Sequence, residues 1–172
     1  GDATLRRPCQ EILRAMATHV LASVTTLCLF VSTAAAQFAG PGLSWSGTSG
    51  NFVRSFVPSC QNLAVVAIPG ETVTLTVWGD VMSPFALFAA GSGSQCLQFP
   101  GIGGGLVLDF PITTVTFGVL TQTTPCLSCP PGYQSLQFTL PAGLPVGTSL
   151  ALQAAALAVG NPVFTVAITG TV

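Results

Sequence analysis

Beyond Ala36 the chain alternates apolar and polar residues with a period of two, in short stretches punctuated by Pro and Gly, and no stretch keeps a helical period for three turns. The clearest stretch is Thr72 to Val77. Val73, Leu75 and Val77 fall on one side and Thr72, Thr74 and Thr76 on the other, after the turn Pro69-Gly70 and before Gly79-Asp80. A strand with one core face and one wet face is predicted there. The same alternation at Val115, Phe117 and Val119, at Leu136, Phe138 and Leu140, and at Phe164, Val166 and Ile168 predicts three more, with those residues facing the core. Leu63 to Ile68, Phe85 to Ala90 and Leu150 to Leu157 are more continuously apolar, as strands covered on both faces are. The alanines of the last stretch also suit a short helix, but the turn Gly147-Thr148-Ser149 before it favours a strand.

Seven to nine such strands joined by short turns imply an all-β domain from residue 37 to 172: an antiparallel two-sheet β-sandwich of jelly-roll or immunoglobulin-like type, following an N-terminal signal helix. A closed barrel is the alternative. A transmembrane barrel needs aromatic girdles, which one Tyr and two Trp cannot make. Gly91-Ser92-Gly93-Ser94 and Gly101 to Gly105 read as flexible loops. Neither is a phosphate cradle, since no Lys follows and no helix opens after them.

The first 36 residues read differently. Arg6, Arg7 and Arg14 precede an uncharged stretch from Ala15 to Ala36 with an apolar centre from Val20 to Val31, closing on Ser32-Thr33-Ala34-Ala35-Ala36. That is the order of a secretory signal peptide, with cleavage after Ala36 and Gln37 as the new N-terminus. Met16 is a candidate start, which leaves His19 as the signal's only basic residue before the apolar centre. An uncleaved membrane anchor is the competing reading, but Ser23, Thr25 and Thr26 break the apolar centre. Leu27 before Cys28 argues against a lipidated cysteine.

Cys60, Cys96, Cys126 and Cys129 follow the signal, and an even number of cysteines in an exported chain reads as two disulfides. Of the three connectivities, Cys60 with Cys96 and Cys126 with Cys129 is preferred. The first closes a loop of about 37 residues and contributes roughly 4 kcal/mol in the chain-entropy model; the second contributes about 2. Cys126-Leu127-Ser128-Cys129 has the spacing of a redox motif, but Pro130-Pro131-Gly132 follows it where a helix would be needed to lower a thiol pKa. A zinc site would have to recruit Cys60 and Cys96 without a second close pair or a His, so no metal is expected.

Composition removes most remaining chemistry. Charged residues make up 5% of the chain against a usual quarter, and there is no Lys, which excludes a phosphate-binding, nucleic-acid surface. After Ala36 only Arg54, Glu71, Asp80 and Asp109 carry charge, and no His remains. Ser-His-Asp and Cys-His machinery and Schiff-base chemistry are therefore excluded. A hydrolase would need Asp109 paired with Glu71 or Asp80. The last two flank one strand and stand about 30 Å apart if it is extended, beyond the ~5–10 Å such pairs need. Leu108-Asp109-Phe110-Pro111 reads as a strand end where Asp caps backbone amides. No Asp-rich spacing points to calcium, and no cofactor is implied.

Aromatic residues are the remaining binding candidates. Trp45 sits between two serines, and Trp78 shares the Thr face of the Thr72 strand, where an indole can stack on a sugar ring or pack under a neighbouring loop. Trp45, Trp78, Asp80 and Asp109 are accordingly the candidate ligand-binding residues.

The stretch from Pro69 to Val172 resembles a family of exported β domains abundant in planctomycetes and related marine bacteria. The resemblance is carried by Pro69-Gly70 before Val73-Thr74-Leu75-Thr76-Val77, by Gly103-Gly104-Gly105-Leu106-Val107-Leu108-Asp109, and by Leu140-Pro141 before Leu144 to Ala155, with its run Leu152-Gln153-Ala154. It ends in Val163 to Gly170. The insert Cys126 to Gly132 departs from the family's plain turn. The resemblance implies a cell-surface or exported sandwich and assigns no site. The expectation is a non-catalytic structural or interaction domain, secreted or at the cell surface, with other surface proteins or glycans as partners. A carbohydrate-binding module using Trp45 or Trp78 and a carboxylate-dependent glycoside hydrolase are the alternatives.

Overall fold

A computed structural model describes residues 40–124 and 129–172. The expected signal peptide and Cys126 lie outside the described residues. In chain order the strands are β1 (Gly42–Gly47), β2 (Phe52–Ser55), β3 (Asn62–Val66), β4 (Thr72–Gly79), β5 (Pro84–Ala90), β6 (Gly93–Leu97) and β7 (Leu106–Leu108). They continue with β8 (Thr113–Val119), β9 (Gln122–Thr123), β10 (Gly132–Thr139), β11 (Ser149–Ala158), β12 (Asn161–Phe164) and β13 (Ala167–Thr171). The fold is all-β. No helix occurs among the described residues.

Two sheets form the sandwich. Sheet A has the order β2-β1-β4-β10-β9, and sheet B the order β3-β13-β11-β5-β8, with β12 pairing β11. All pairings are antiparallel except β13 with β3, which run parallel. Between the sheets lie Leu43, Trp45, Val73, Leu75 and Val77 from sheet A and Phe85, Leu87, Leu152, Ala154 and Ile168 from sheet B. The alternation of β4 is as expected: Val73, Leu75 and Val77 are sealed while Thr72 and Thr74 are half-exposed on the other face.

A third layer covers part of sheet B's outer face. The arm β6–β7 lays Leu106, Val107 and Leu108 on Ala90, Ala151 and Ala167, whose short side chains let the arm approach the sheet. One polar side chain fixes it there. Gln153, fully buried on β11, accepts from the Val107 amide through Oε1 at 2.8 Å and donates through Nε2 to the carbonyls of Gly105 and Thr165, both at 2.7 Å. The Cys60–Cys96 disulfide, with Cα atoms 5.4 Å apart, ties the arm to the β2–β3 connection, as expected. Gly105 is packed against it: a Cβ there would lie 2.8 Å from the Cys60 sulfur. Cys129 is also disulfide-bonded.

Three expectations are corrected. Val115, Phe117 and Val119 do not face the core; they are 53%, 80% and 42% exposed. The cause is Gly118, which pairs with Phe85 and points inward, where even a Cβ would come within 3.1 Å of the Phe85 ring. Bulkier neighbours must therefore point outward, and Val115 becomes the extra residue where the β5–β8 register shifts between Leu87 and Phe88. Leu63 to Ile68 is not covered on both faces: β3 ends sheet B and exposes Val66, and Ile68 beyond it is exposed too. The stretch Phe164 to Ile168 is broken between β12 and β13, because buried Thr165 turns its hydroxyl onto the Ala154 amide and the Val166 carbonyl.

Candidate functional site

The outer face of sheet A collects the polar side of three strands, β1, β4 and β10. On β4 these are Thr72, Thr74, Thr76 and Trp78; register places Ser44 beside Thr76 from β1, and Ser135 and Tyr133 beside Thr76 and Trp78 from β10. The hydroxyls form cross-strand pairs, Thr76 with Ser135 at 3.0 Å and Thr72 with Thr139 at 3.2 Å, while Gln137 donates to Thr74 at 3.3 Å. Ser44 and Thr76 are buried, whereas Thr72, Thr74, Ser135 and Thr139 reach solvent with hydrogen-bonding capacity beyond their one partner.

At one end of this hydroxyl field is a row of rings. Trp78 stands at its centre, with the Tyr133 ring 5.1 Å away and tilted by 33°, and the Phe56 ring 5.5 Å away and edge-on at 86°. Phe56 reaches the row because β1 has Gly42 opposite Trp78, and Phe56 occupies the space a Cβ would fill. The Trp78 indole N–H donates to the Ser44 hydroxyl at 3.4 Å, which fixes the ring's turn about its own axis. Arg54 lies with its guanidinium carbon 4.9 Å from the Phe56 centroid and 5.9 Å from that of Phe52, extending the row with the described residues' one cation. Phe56, Trp78 and Tyr133 are all half-buried, supported from beneath yet open to solvent.

Trp45 does not join them. It is fully buried on the inner face of β1, edge-on to Phe138 at 6.1 Å and 86°, and its ring fills the space above Gly170. The alternation Leu43, Trp45, Gly47 puts it inside, so it is a core residue and has no access to a ligand. Its indole nitrogen has no hydrogen-bond partner.

The acids are in three separate places, each with its own donors. Asp80 follows β4 and receives the Gly160 amide from the β11–β12 turn at 3.3 Å. Asp109 follows β7 and receives the hydroxyls of Ser92, at 2.7 Å, and Ser94, at 3.0 Å. The Ser92 hydroxyl, and after it that of Ser94, hold the Asp109 carboxyl below its ordinary value against an opposing desolvation effect. Glu71 precedes β4 and is 7% exposed. Burial opposes its charge, but the Ser49 hydroxyl at 2.6 Å and the Ile68 amide at 2.9 Å outweigh that and lower its pKa. All three carboxylates are spent on turns. No group of three or more His, Cys, Asp or Glu side chains gathers among the described residues.

A second feature lies between the sheets. A half-open apolar cleft of about 420 Å³ is walled by Leu75, Leu87, Leu136 and Leu152 and opens between β8 and β10, beside Val115, Thr116 and Gln137.

Of the candidate residues, Trp78 lies in the ring row on the outer face of sheet A, while Asp80, two residues beyond it in the chain, and Asp109 are engaged in turns. Tyr133, Phe56, Ser44 and Ser135 were not anticipated. Tyr133 was readable, because Leu136 and Phe138 set the phase of β10 and Tyr133 is out of phase with both. Phe56, just beyond β2, carries no periodic signal.

No protein-family model matches the chain, and no curated protein matches it in sequence. Among solved structures, an AA10 lytic polysaccharide monooxygenase from Streptomyces lividans is similar over 65% of this chain and 59% of its own, at 15% identity and a TM-score of 0.33. A chitin binding domain from Burkholderia pseudomallei is similar over 64% of this chain and 56% of its own, also at 15% identity and a TM-score of 0.33. Each likeness thus spans well under two thirds of the other protein's length.

Proposed function

We propose that this chain is a non-catalytic, exported binding module that takes a glycan on the outer face of sheet A. The observation that carries the reading is the row Phe56–Trp78–Tyr133 bordering a set of Ser and Thr hydroxyls on one sheet face. Aromatic faces stack on the C–H faces of sugar rings, and neutral hydroxyls and amides exchange hydrogen bonds with sugar hydroxyls. With Phe56 lying over Gly42 of β1, and Trp78 and Tyr133 on β4 and β10, the row crosses three adjacent strands and so extends about 10 Å at ordinary strand spacing. That length suits consecutive rings of an extended chain rather than a single monosaccharide in a pocket. With no charge on the face except Arg54 at its margin, a neutral or weakly acidic glycan is favoured over a cationic one.

The test is retention on a panel of insoluble polysaccharides together with a glycan array. Trp78→Ala is expected to weaken binding at least about tenfold, equivalent to 1.4 kcal/mol, and Tyr133→Ala to weaken it further. Binding that survives the double variant, or no binding to any glycan by the intact chain, would overturn the proposal.

A further inference from the structure

We infer that the side of the sandwich bounded by β8 and β10 is an interface for a second copy of this chain, whose β8 pairs antiparallel with this one. Among the described residues β8 is the last strand of sheet B, with β5 as its one sheet neighbour, so its other edge presents backbone groups without a strand partner there. Edge strands are ordinarily blunted by brevity, charge or Pro. β9 is two residues long, β2 carries Arg54 and the other edge of sheet B, β3, has five residues, whereas β8 has seven, TTVTFGV, with no charge and no Pro. It also displays Phe117 at 80% and Val115 at 53% exposure.

The same side of sheet A is open as well. Among the described residues β9 covers only Gly132 and Tyr133 of β10, and Gln134 to Thr139 pair on one edge, with β4. Between these two free edges gapes the apolar cleft of about 420 Å³. An occupant that pairs both edges must bring two free strand edges at the spacing of a sandwich, which also screens the cleft mouth from solvent. A second copy does this by symmetry. A two-fold axis through Thr116, perpendicular to the sheets, sets β8 against β8 and brings β10 up to β10, in an isologous contact. In that register Val115 faces the second copy's Phe117, an aromatic with β-branched pair of the kind that stabilises antiparallel strands. Charge does not oppose it: Arg54, Glu71, Asp80 and Asp109, the charged residues among those described, all lie off β8 and β10. The dimer would also place both sheet A faces on one side, presenting two ring rows to one surface. The inference stands whether or not that face binds a glycan.

Sedimentation velocity of the chain recovered from a secreting host tests this directly. The expected result is a species of twice the chain mass that Phe117→Lys converts to monomer, with circular dichroism unchanged. Fluorescence of 1-anilinonaphthalene-8-sulfonate is expected to rise in the variant as the cleft mouths open. Val119→Lys, on the same outward face, repeats the test if the first variant misfolds. A wild-type chain that stays monomeric at about 100 μM, far above a micromolar Kd, would overturn the inference. So would a dimer that survives both substitutions.

Discussion

Replacing Gln153 with Leu isolates the contribution of one buried side chain to the attachment of the β6–β7 arm. The amide is fully buried and serves three backbone groups, the Val107 N–H and the carbonyls of Gly105 and Thr165. Leucine fills nearly the same volume, so the cavity contribution is small and the loss is one of hydrogen bonding. A buried backbone group left without a partner costs about 1–3 kcal/mol. Three such groups, reduced by the gain from burying leucine, give a net loss of about 4 kcal/mol, a large part of the 5–15 kcal/mol that holds a typical domain together. At a urea m-value of about 2 kcal/mol/M the unfolding midpoint should fall by about 2 M. The arm should respond before the sandwich does. Hydrogen exchange should accelerate more from Gly93 to Leu108 than in β4 and β11, whose amides open only with the whole domain. A loss under about 1 kcal/mol, or exchange that rises equally across all strands, would refute the view of Gln153 as the arm's clamp.

The β11–β12 hairpin turns on Val159 and Gly160 with φ of +51° and +77°, a backbone that disfavours a β-branched residue by about 1–2 kcal/mol. Val159 is 78% exposed, so Val159→Asn should raise stability by about 1 kcal/mol in thermal melts, and an unchanged melting temperature would count against it. The lowered Glu71 pKa implies stability that is fully present above the ordinary carboxylate value near 4.5 and lost as pH falls through the folded value. Glu71→Gln should therefore flatten the pH dependence of the urea midpoint below pH 5, and a wild-type slope in the variant would reject that origin. Removing the Cys60–Cys96 crosslink as a double Ser variant should cost roughly 4 kcal/mol, read by urea unfolding without reductant; a loss under about 1 kcal/mol would contradict it.

How far the sequence specified this fold depended on what each residue's neighbours were. β4 was legible because its alternation of Val and Thr is unbroken and both its flanks are turns. β11 was legible despite its alanines, and the structure gives those alanines a purpose: they are the floor on which β7 lies. β8 was misread because period two fixes which residues share a face but not which face is inside. That choice was made by Phe85 on the neighbouring strand, through the empty space it requires above Gly118. Trp45 was misjudged by its serine neighbours, although Leu43 two residues earlier is in phase with it. The ring row was half legible: Trp78 and Tyr133 follow from strand phase, while Phe56 depends on a glycine two strands away in sequence, Gly42, whose missing side chain makes room for it.

The scarcity of charge connects these features. Of the four charged residues described, Glu71, Asp80 and Asp109 are drawn into turns by backbone amides and hydroxyls, and Arg54 lies over two rings. None is left to keep the molecule apart from others by repulsion, and the formal net charge of the full 172-residue chain is only −1. Solubility must then rest on hydroxyl rows such as that of sheet A, and any apolar surface without them needs cover. Sheet A's outer face has such rows; the β8 edge does not. If that edge is paired in the assembled protein, its substitution by Lys should leave the glycan face chemically intact yet reduce retention on a dense polysaccharide, because two linked sites become one. Phe117→Lys should accordingly weaken retention on the solid polysaccharide more than binding to a soluble oligosaccharide. Equal loss on both would mean that the β8 edge, and not the ring row, contacts the sugar.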